Sequence, residues 1–272
     1  MGRYGIVSDI HGNFEALRTV LAFLDARGVD KLLCLGDLVG YNADPNRCVR
    51  LLEAREALAI VGNHDLIAAG EIGTERCSDK AAFALRRTRQ TVTPPTLLYL
   101  LQLPRVRVVD GGVILVHGSF SDVCEYMRDE QKIEENLPMM RRLAPEAWIC
   151  LFGHTHAPVL YAAKDGEVVS LELGEDIPLQ SRRRVFFANP GSVDAARRGD
   201  SHAEFAVLDT DRREISYHRI PYNHAIAERR AQQAGYRMGW ADERVYEAAR
   251  AIRRGKRIMQ VGVERALGAL RM

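Results

Sequence analysis

Five short apolar runs in the first 160 residues, separated by longer stretches with helical periodicity, constrain this chain more than any other feature. The runs occupy 4–8, 31–35, 59–61, 113–116 and 148–152. Alternation of this kind is the signature of βα units and a largely parallel sheet. After the first run Asn13 reads as an N-cap, Leu17, Val20, Leu21 and Leu24 fall on one helical face, and Gly28 supplies the stop. A second helix is expected from about Asn46. A helical stretch over 77–103 is broken in two by Pro94-Pro95, and a further helix is expected over 133–143.

Beyond residue 158 the pattern changes to strand-like segments at 159–162, 168–173, 185–188, 204–208 and 214–220, joined by polar turns such as Asp165-Gly166. These predict a second, mainly antiparallel sheet packed on the first. Asn189-Pro190-Gly191-Ser192 reads as a tight turn, and from about His224 the chain turns helical to its end. The domain reading is therefore 1–220 for the sheets and their helices, and 221–272 for a helical C-terminal extension packed on or extending the same body. At 272 residues the chain is long enough to bury roughly three-quarters of its unfolded surface without disulfide or metal staples.

Composition serves mainly to exclude. Thirty-eight basic against 36 acidic residues leave a net +2, which removes the default argument for a nucleic-acid binder. The balance is regional, because the residues from Ile220 onward include 11 basic and 5 acidic side chains. Five cysteines, Cys34, Cys48, Cys77, Cys124 and Cys150, contain no CxxC pair, and Cys34 and Cys150 sit inside apolar runs. That is the pattern of reduced, packed thiols, and a cytoplasmic location is expected. No apolar run approaches the ~18 residues of a membrane span, so no membrane association is expected.

The chemistry is concentrated where the five runs stop. They end in Asp9-Ile10-His11, Gly36-Asp37, Gly62-Asn63-His64-Asp65, His117-Gly118 and Gly153-His154-Thr155-His156. Sites in open α/β sheets form outside the carboxyl ends of parallel strands. Five loops are therefore expected to bring two carboxylates, one Asn amide and four imidazoles to one edge of a sheet, with His64 and Asp65 beside them. Five of the eight histidines fall in these loops, whereas His202, His218 and His224 do not. His154 and His156, two residues apart, would point to one side of an extended segment and address neighbouring ions. Seven oxygen and nitrogen donors are too many for one tetrahedral zinc but suit two ions sharing a carboxylate. Two ions roughly 3.5–4 Å apart can hold a hydroxide and neutralise a phosphoryl group, and the implied reaction is phosphoester hydrolysis.

These blocks resemble those of the calcineurin-like metallophosphoesterase superfamily, which run D-x-H, G-D, G-N-H-[DE], H and G-H-x-H in this order. The resemblance spans residues 9–156 and implies an α/β fold of two facing β-sheets flanked by helices, a four-layer α/β/β/α sandwich, here with a C-terminal helical extension. It implies that Asp9, His11 and His156 bind one ion, that Asn63, His117 and His154 bind a second, and that Asp37 bridges them. Gly36-Asp37 continues as Leu38-Val39-Gly40-Tyr41, without the arginine of the protein-phosphatase pattern G-D-x-x-D-R-G. The chain is thus more similar to the compact bacterial and archaeal phosphoesterases of the superfamily.

His64 lies next to Asn63 and is expected to act as general acid toward the leaving-group oxygen, with Asp65 orienting its ring and favouring the protonated form. Tyr41, close behind the bridging Asp37, is a candidate for the substrate site. Imidazole, carboxylate and amide donors without thiolate suit divalent manganese first, and also iron, zinc, cobalt or nickel. Substrate choice is expected to rest on loops 66–80 and 118–132. The leading expectation is a hydrolase acting on a small phosphodiester or phosphomonoester. One alternative is a nuclease whose basic tail holds a nucleic-acid backbone; another, of a different class, is a non-catalytic metal-stabilised binding scaffold. Apolar positions in 256–272, including Ile258, Val261 and Leu267, would suit either back-packing or a second copy of the chain in a homo-oligomer.

Overall fold

The computed structural model describes residues 2–109, 112–180, 184–194, 201–246 and 248. The first half of the chain forms β1 (Arg3–Val7), α1 (Phe14–Ala26), β2 (Lys31–Cys34), α2 (Pro45–Ala54), β3 (Leu58–Ala59), α3 (Asn63–Ala69), α4 (Asp79–Thr91), α5 (Pro94–Gln102), β4 (Val106–Val109) and β5 (Val113–Val116). Then follow α6 (Glu130–Leu143), β6 (Ile149–Leu151), β7 (Val159–Lys164), β8 (Glu167–Leu171), β9 (Ile177–Pro178), β10 (Val185–Asn189), β11 (His202–Asp209), β12 (Glu214–Pro221) and α7 (His224–Gln233). Residues 240–246 are also helical, whereas the remainder of the expected C-terminal helix and the 256–272 tail lie outside the described residues.

Two six-stranded sheets result, ordered β3-β2-β1-β11-β12-β9 and β4-β5-β6-β10-β7-β8. In the first, β1, β2 and β3 are parallel, with Tyr4 opposite Lys31 and Leu33 opposite Leu58, while β11 runs antiparallel to β1. In the second, β5, β6 and β10 are parallel, flanked by antiparallel β4 and β7. This corrects the sequence expectation of one parallel and one antiparallel sheet. The five early runs are divided three and two between the sheets, because β5 takes the antiparallel β4 as its partner and so starts a new sheet.

Side-chain alternation builds the layers. Tyr4, Ile6, Leu33 and Leu35 of the first sheet meet Val113, Leu115, Ile149, Leu151 and Phe186 of the second in the core between them. On the opposite face, Val7, Cys34, Phe205 and Val207 pack under Leu17, Val20 and Leu21 of α1, with Val49 and Leu52 of α2 and Leu100 of α5. The outer face of the second sheet, including Ile114, Val116, Cys150 and Phe187, is covered by Ile133 and Met140 of α6. Strands buried on both faces read as continuous apolar runs, and that is why they are visible in the sequence.

Helix boundaries follow local chemistry. Asn13 caps α1 by accepting the Ala16 N–H at 3.1 Å. Pro94 and Pro95 occupy the first turn of α5, so they start that helix after a break at Val92-Thr93. Residues 222–236 pack on the same body: Tyr222 and Ala227 join the core over α1, and Ala231 and Tyr236 meet Ala84 of α4 beside Tyr41 and Ala43.

Candidate metal centre

The loops after β1, β2 and β3 from one sheet, and after β5, β6 and β10 from the other, leave the sandwich at the same end. Asp9, His11, Asp37, His154 and His156 all sit in the left-handed region, with φ between 50° and 64°. Non-glycine residues rarely adopt it, and such strain gathers where function over-determines the backbone. The expectation that His154 and His156 share one side of an extended segment is therefore corrected. Both residues themselves take a left-handed φ, 64° and 55°, so the segment is not extended, and the two enter different, neighbouring groups of donors.

The first group comprises Asp9, His11, Asp37 and His156, and the second Asp37, His117 and His154; within each, one donor atom per residue lies within 4.8 Å of the others. Asp37 is common to both. His156 Nε2 lies 3.2 Å from Asp9 Oδ1 and 3.1 Å from His11 Nε2. His117 Nε2 lies 3.4 Å from Asp37 Oδ2 and 3.0 Å from Asn63 Oδ1, which adds the Asn amide to the second group. The far nitrogen of His117 is 2.7 Å from the Leu35 carbonyl, an outer contact that fixes the tautomer and turns Nε2 inward. Ser8, absent from the sequence expectations, donates to Asp9 Oδ2 at 2.6 Å. Asp9 Oδ1 is buried with no hydrogen-bond partner, a cost that a cation would remove.

Burial penalises every charge here, and the groups then divide. For Asp9 and Asp37 burial is outweighed by neighbouring imidazoles, which hold both carboxyls well below the usual range. Burial also opposes the protonation of His117, but the charge of Asp37 prevails and pushes its pKa up to about 9. Burial, with the nearby His117 charge, brings His154 down to about 4.

His64 belongs to neither group. Its ring lies 4.6 Å from that of His11 and 4.9 Å from Tyr41, and its buried Nδ1 has no hydrogen-bond partner. Gly40 passes so close that a Cβ there would fall 2.5 Å from His64 Nδ1 and 2.8 Å from His11 Nδ1. Asp65 does not orient His64, contrary to expectation. Its Oδ1 accepts the N–H groups of Leu38 and Val39, and its Oδ2 accepts that of Gly62 at 2.9 Å, tying the Asp37 loop to the start of α3. With no partner from Asp65, burial pushes the His64 pKa below its ordinary value.

Residues 3–213 match the calcineurin-like phosphoesterase superfamily domain. The chain belongs to that superfamily. The uncharacterized protein MJ0912 of Methanocaldococcus jannaschii is 29% identical over 223 residues, covering 80% of this chain and 87% of that protein. A metallophosphoesterase structure from Sphaerobacter thermophilus aligns with a TM-score of 0.71 at 29% identity, over 89% of this chain and 96% of that one. The hypothetical protein PH1004 from Pyrococcus horikoshii OT3 shares the fold, with a TM-score of 0.67 at 19% identity over 87% and 95% of the two chains.

Within this superfamily member the two donor groups open onto a cavity of about 510 Å³. Asp37, Asn63, His64, His154 and His156 form its floor, and Tyr41 lies in its wall. The remaining walls come from the two loops expected to govern substrate choice, through Ile67, Ile72 and Cys77 on one side and Val123, Cys124 and Tyr126 on the other. The Tyr126 ring stacks on His154 at 4.1 Å between centroids. Asp194, also at the cavity, was missed by sequence reasoning. It follows β10, and β10 reads as part of an antiparallel sheet. Asp194 stands beyond the carboxyl end of a sixth parallel strand, the position that the donors hold after theirs.

No helix among the described residues is long and apolar enough to cross a membrane.

Proposed function

We propose that this chain is a metal-dependent hydrolase of a small phosphoester, with two divalent ions as cofactors. The observation that carries this reading is the convergence of seven donor side chains into two groups that share Asp37. The residues suit such ions: the donors are imidazole, carboxylate and amide, no thiolate belongs to either group, and Asp9 Oδ1, 3.2 Å from His156 Nε2, is buried without a hydrogen bond. Asp9, His11 and His156 hold one ion, Asn63, His117 and His154 the other, and Asp37 both. When bound, such ions supply positive charge at the phosphoryl oxygens and activate a water.

The remaining work falls to the chain itself. His64, in the cavity floor beside both groups, donates a proton to the departing oxygen. The cavity volume is in the range of small-molecule sites. Its Arg76 and Arg105 are balanced by Glu75 and Asp122, and Arg76 is spent on Asp122, so among the described residues the walls offer no basic track for a polynucleotide. These features favour a small ester over a nucleic acid. Free, buried Cys34, Cys48 and Cys150 support a reducing compartment such as the cytoplasm.

The test is a panel of phosphomonoesters and phosphodiesters, including bis-p-nitrophenyl phosphate, assayed on metal-free protein reloaded with Mn²⁺, Zn²⁺ or Fe²⁺. Turnover should appear only on reloading and track two bound ions per chain. Metal-replete protein inert toward every ester would reject the proposal and leave a binding scaffold as the better reading.

A further inference from the structure

We propose that residues 222–237, following β12, are part of the catalytic apparatus, and that Arg237 is a positioning residue that holds Tyr41 against His64; the catalytic half of this inference rests on the function proposed above. The guanidinium of Arg237 donates to the Tyr41 carbonyl at 2.8 Å and to Asn42 Oδ1 at 3.0 Å. Its Nε and Nη2 also donate to Glu228 Oε2 of α7, at 2.9 and 2.7 Å. Asn42 in turn donates its backbone N–H to the His11 carbonyl at 2.8 Å. The Tyr41 ring rests against both His11 and His64, at 4.7 and 4.9 Å between centroids.

The loop carrying Tyr41 needs such a brace. Gly40 has φ of 147°, a conformation that L side chains rarely adopt, and a Cβ there would run into the His11 and His64 rings. A glycine turn with that much freedom does not fix the direction of the next residue by itself. It is held from two sides. Thr88 Oγ1 of α4 donates to the Gly40 carbonyl at 2.9 Å, and Arg237 takes the next carbonyl. The brace is itself anchored: the Tyr236 hydroxyl is 2.7 Å from Thr91 Oγ1, Arg87 Nε donates to the Ala234 carbonyl at 2.7 Å, and Arg230 pairs with Asp44. Ala84, Ala231 and Tyr236 form a small apolar cluster against Tyr41 and Ala43.

An exposed Arg–Glu pair alone contributes little. Here the planar fork also satisfies a backbone carbonyl and a side-chain amide, a task that lysine's single ammonium cannot reproduce. All of these groups from α7 onward lie beyond the 3–213 stretch that matches the superfamily, so the brace is an addition to the matched domain.

The test uses full-length, metal-loaded wild type, Arg237→Ala and Arg237→Lys. Amide hydrogen exchange over residues 38–44 should quicken about tenfold in both variants, while β1 and β5 exchange as before. Bound metal should be unchanged. Turnover is then compared on phenyl and p-nitrophenyl esters, which differ in how much proton donation the leaving oxygen needs. A displaced His64 should cost about tenfold on the phenyl ester and under about threefold on the p-nitrophenyl ester. Unchanged exchange over 38–44 overturns the brace whatever the kinetics show. Faster exchange with an equal fall on both esters overturns the link to His64. Should wild type hydrolyse no ester, the function reading fails by itself, and the exchange result still decides whether Arg237 holds the loop.

Discussion

Asp65 and His64 are neighbours in sequence with unrelated tasks, and the reason is geometric. α3 begins at Asn63, and consecutive residues on a helix do not face each other. Asp65, at the third helical position, reaches back to the Gly62 N–H as an acidic residue there commonly does, and its other oxygen gathers Leu38 and Val39. The donor set and His64 were legible because each stands at the end of an apolar run. The role of Asp65 was not, because nothing in an apolar pattern announces a seven-residue helix starting inside a metal-binding motif. His64→Ala is expected to lower turnover by roughly 10²–10⁴-fold, about 3–5 kcal/mol of barrier. Metal analysis of the same variant should match wild type, since His64 belongs to neither donor group. Loss of an ion from that variant would make His64 a ligand and remove it from the proton-transfer role.

Among elements, β1 and α1 show how closely the sandwich is packed behind the site. Gly5 faces α1, and a Cβ built there would fall 2.6 Å from Leu24 Cδ1 and 3.1 Å from Cδ2. Gly5→Ala should therefore destabilise by about 1–3 kcal/mol through overpacking, lowering the melting temperature by roughly 2–4 °C per kcal/mol. Leu24→Ala should lose its own packing but relieve Gly5→Ala, so the double variant is expected to be less destabilised than the two single effects combined. Strictly additive melting shifts would mean that α1 does not press on residue 5. The runs at β1, β2, β5 and β6 were readable almost to the residue, because both faces of each are covered. β4 and β9 were not: β4 carries Arg107 and an exposed Val108 at a sheet edge, and β9 is a two-residue pairing. Their ladder positions depend on distant partners and not on local pattern.

At the scale of the whole molecule, the candidate metal centre joins the two sheets. Asp9, His11 and Asp37 leave the first sheet and His117, His154 and His156 the second, so each donor group draws on both. No local pattern could assign the early runs to two sheets, because strands buried on both sides look alike in either. The arrangement couples stability to metal and pH with a definite sign. Without metal, burial opposes the His117–Asp37 pair, but Asp37 wins and places His117 at about 9, above its unfolded value near 6.5. That contribution is fully present below about pH 6.5 and is lost as pH rises through about 9. A metal ion needs His117 neutral and must displace its proton, so its affinity rises over the same window. Metal-free protein should therefore lose stability through this pair from pH 6.5 toward 9, while the stabilisation added by Mn²⁺ grows. With free Mn²⁺ at about a hundred times Kd, the added stability is about 2.7 kcal/mol, or roughly 5–10 °C in melting temperature. Thermal unfolding with and without Mn²⁺ between pH 5.5 and 8.5 measures the gap directly. It should be widest at the alkaline end and shrink toward acid, where His117 and His156, whose burial is outweighed by neighbouring carboxylates that shift both up, hold their protons. A gap that is constant, or that widens toward acid, would show that the bound ion does not compete with protons at His117.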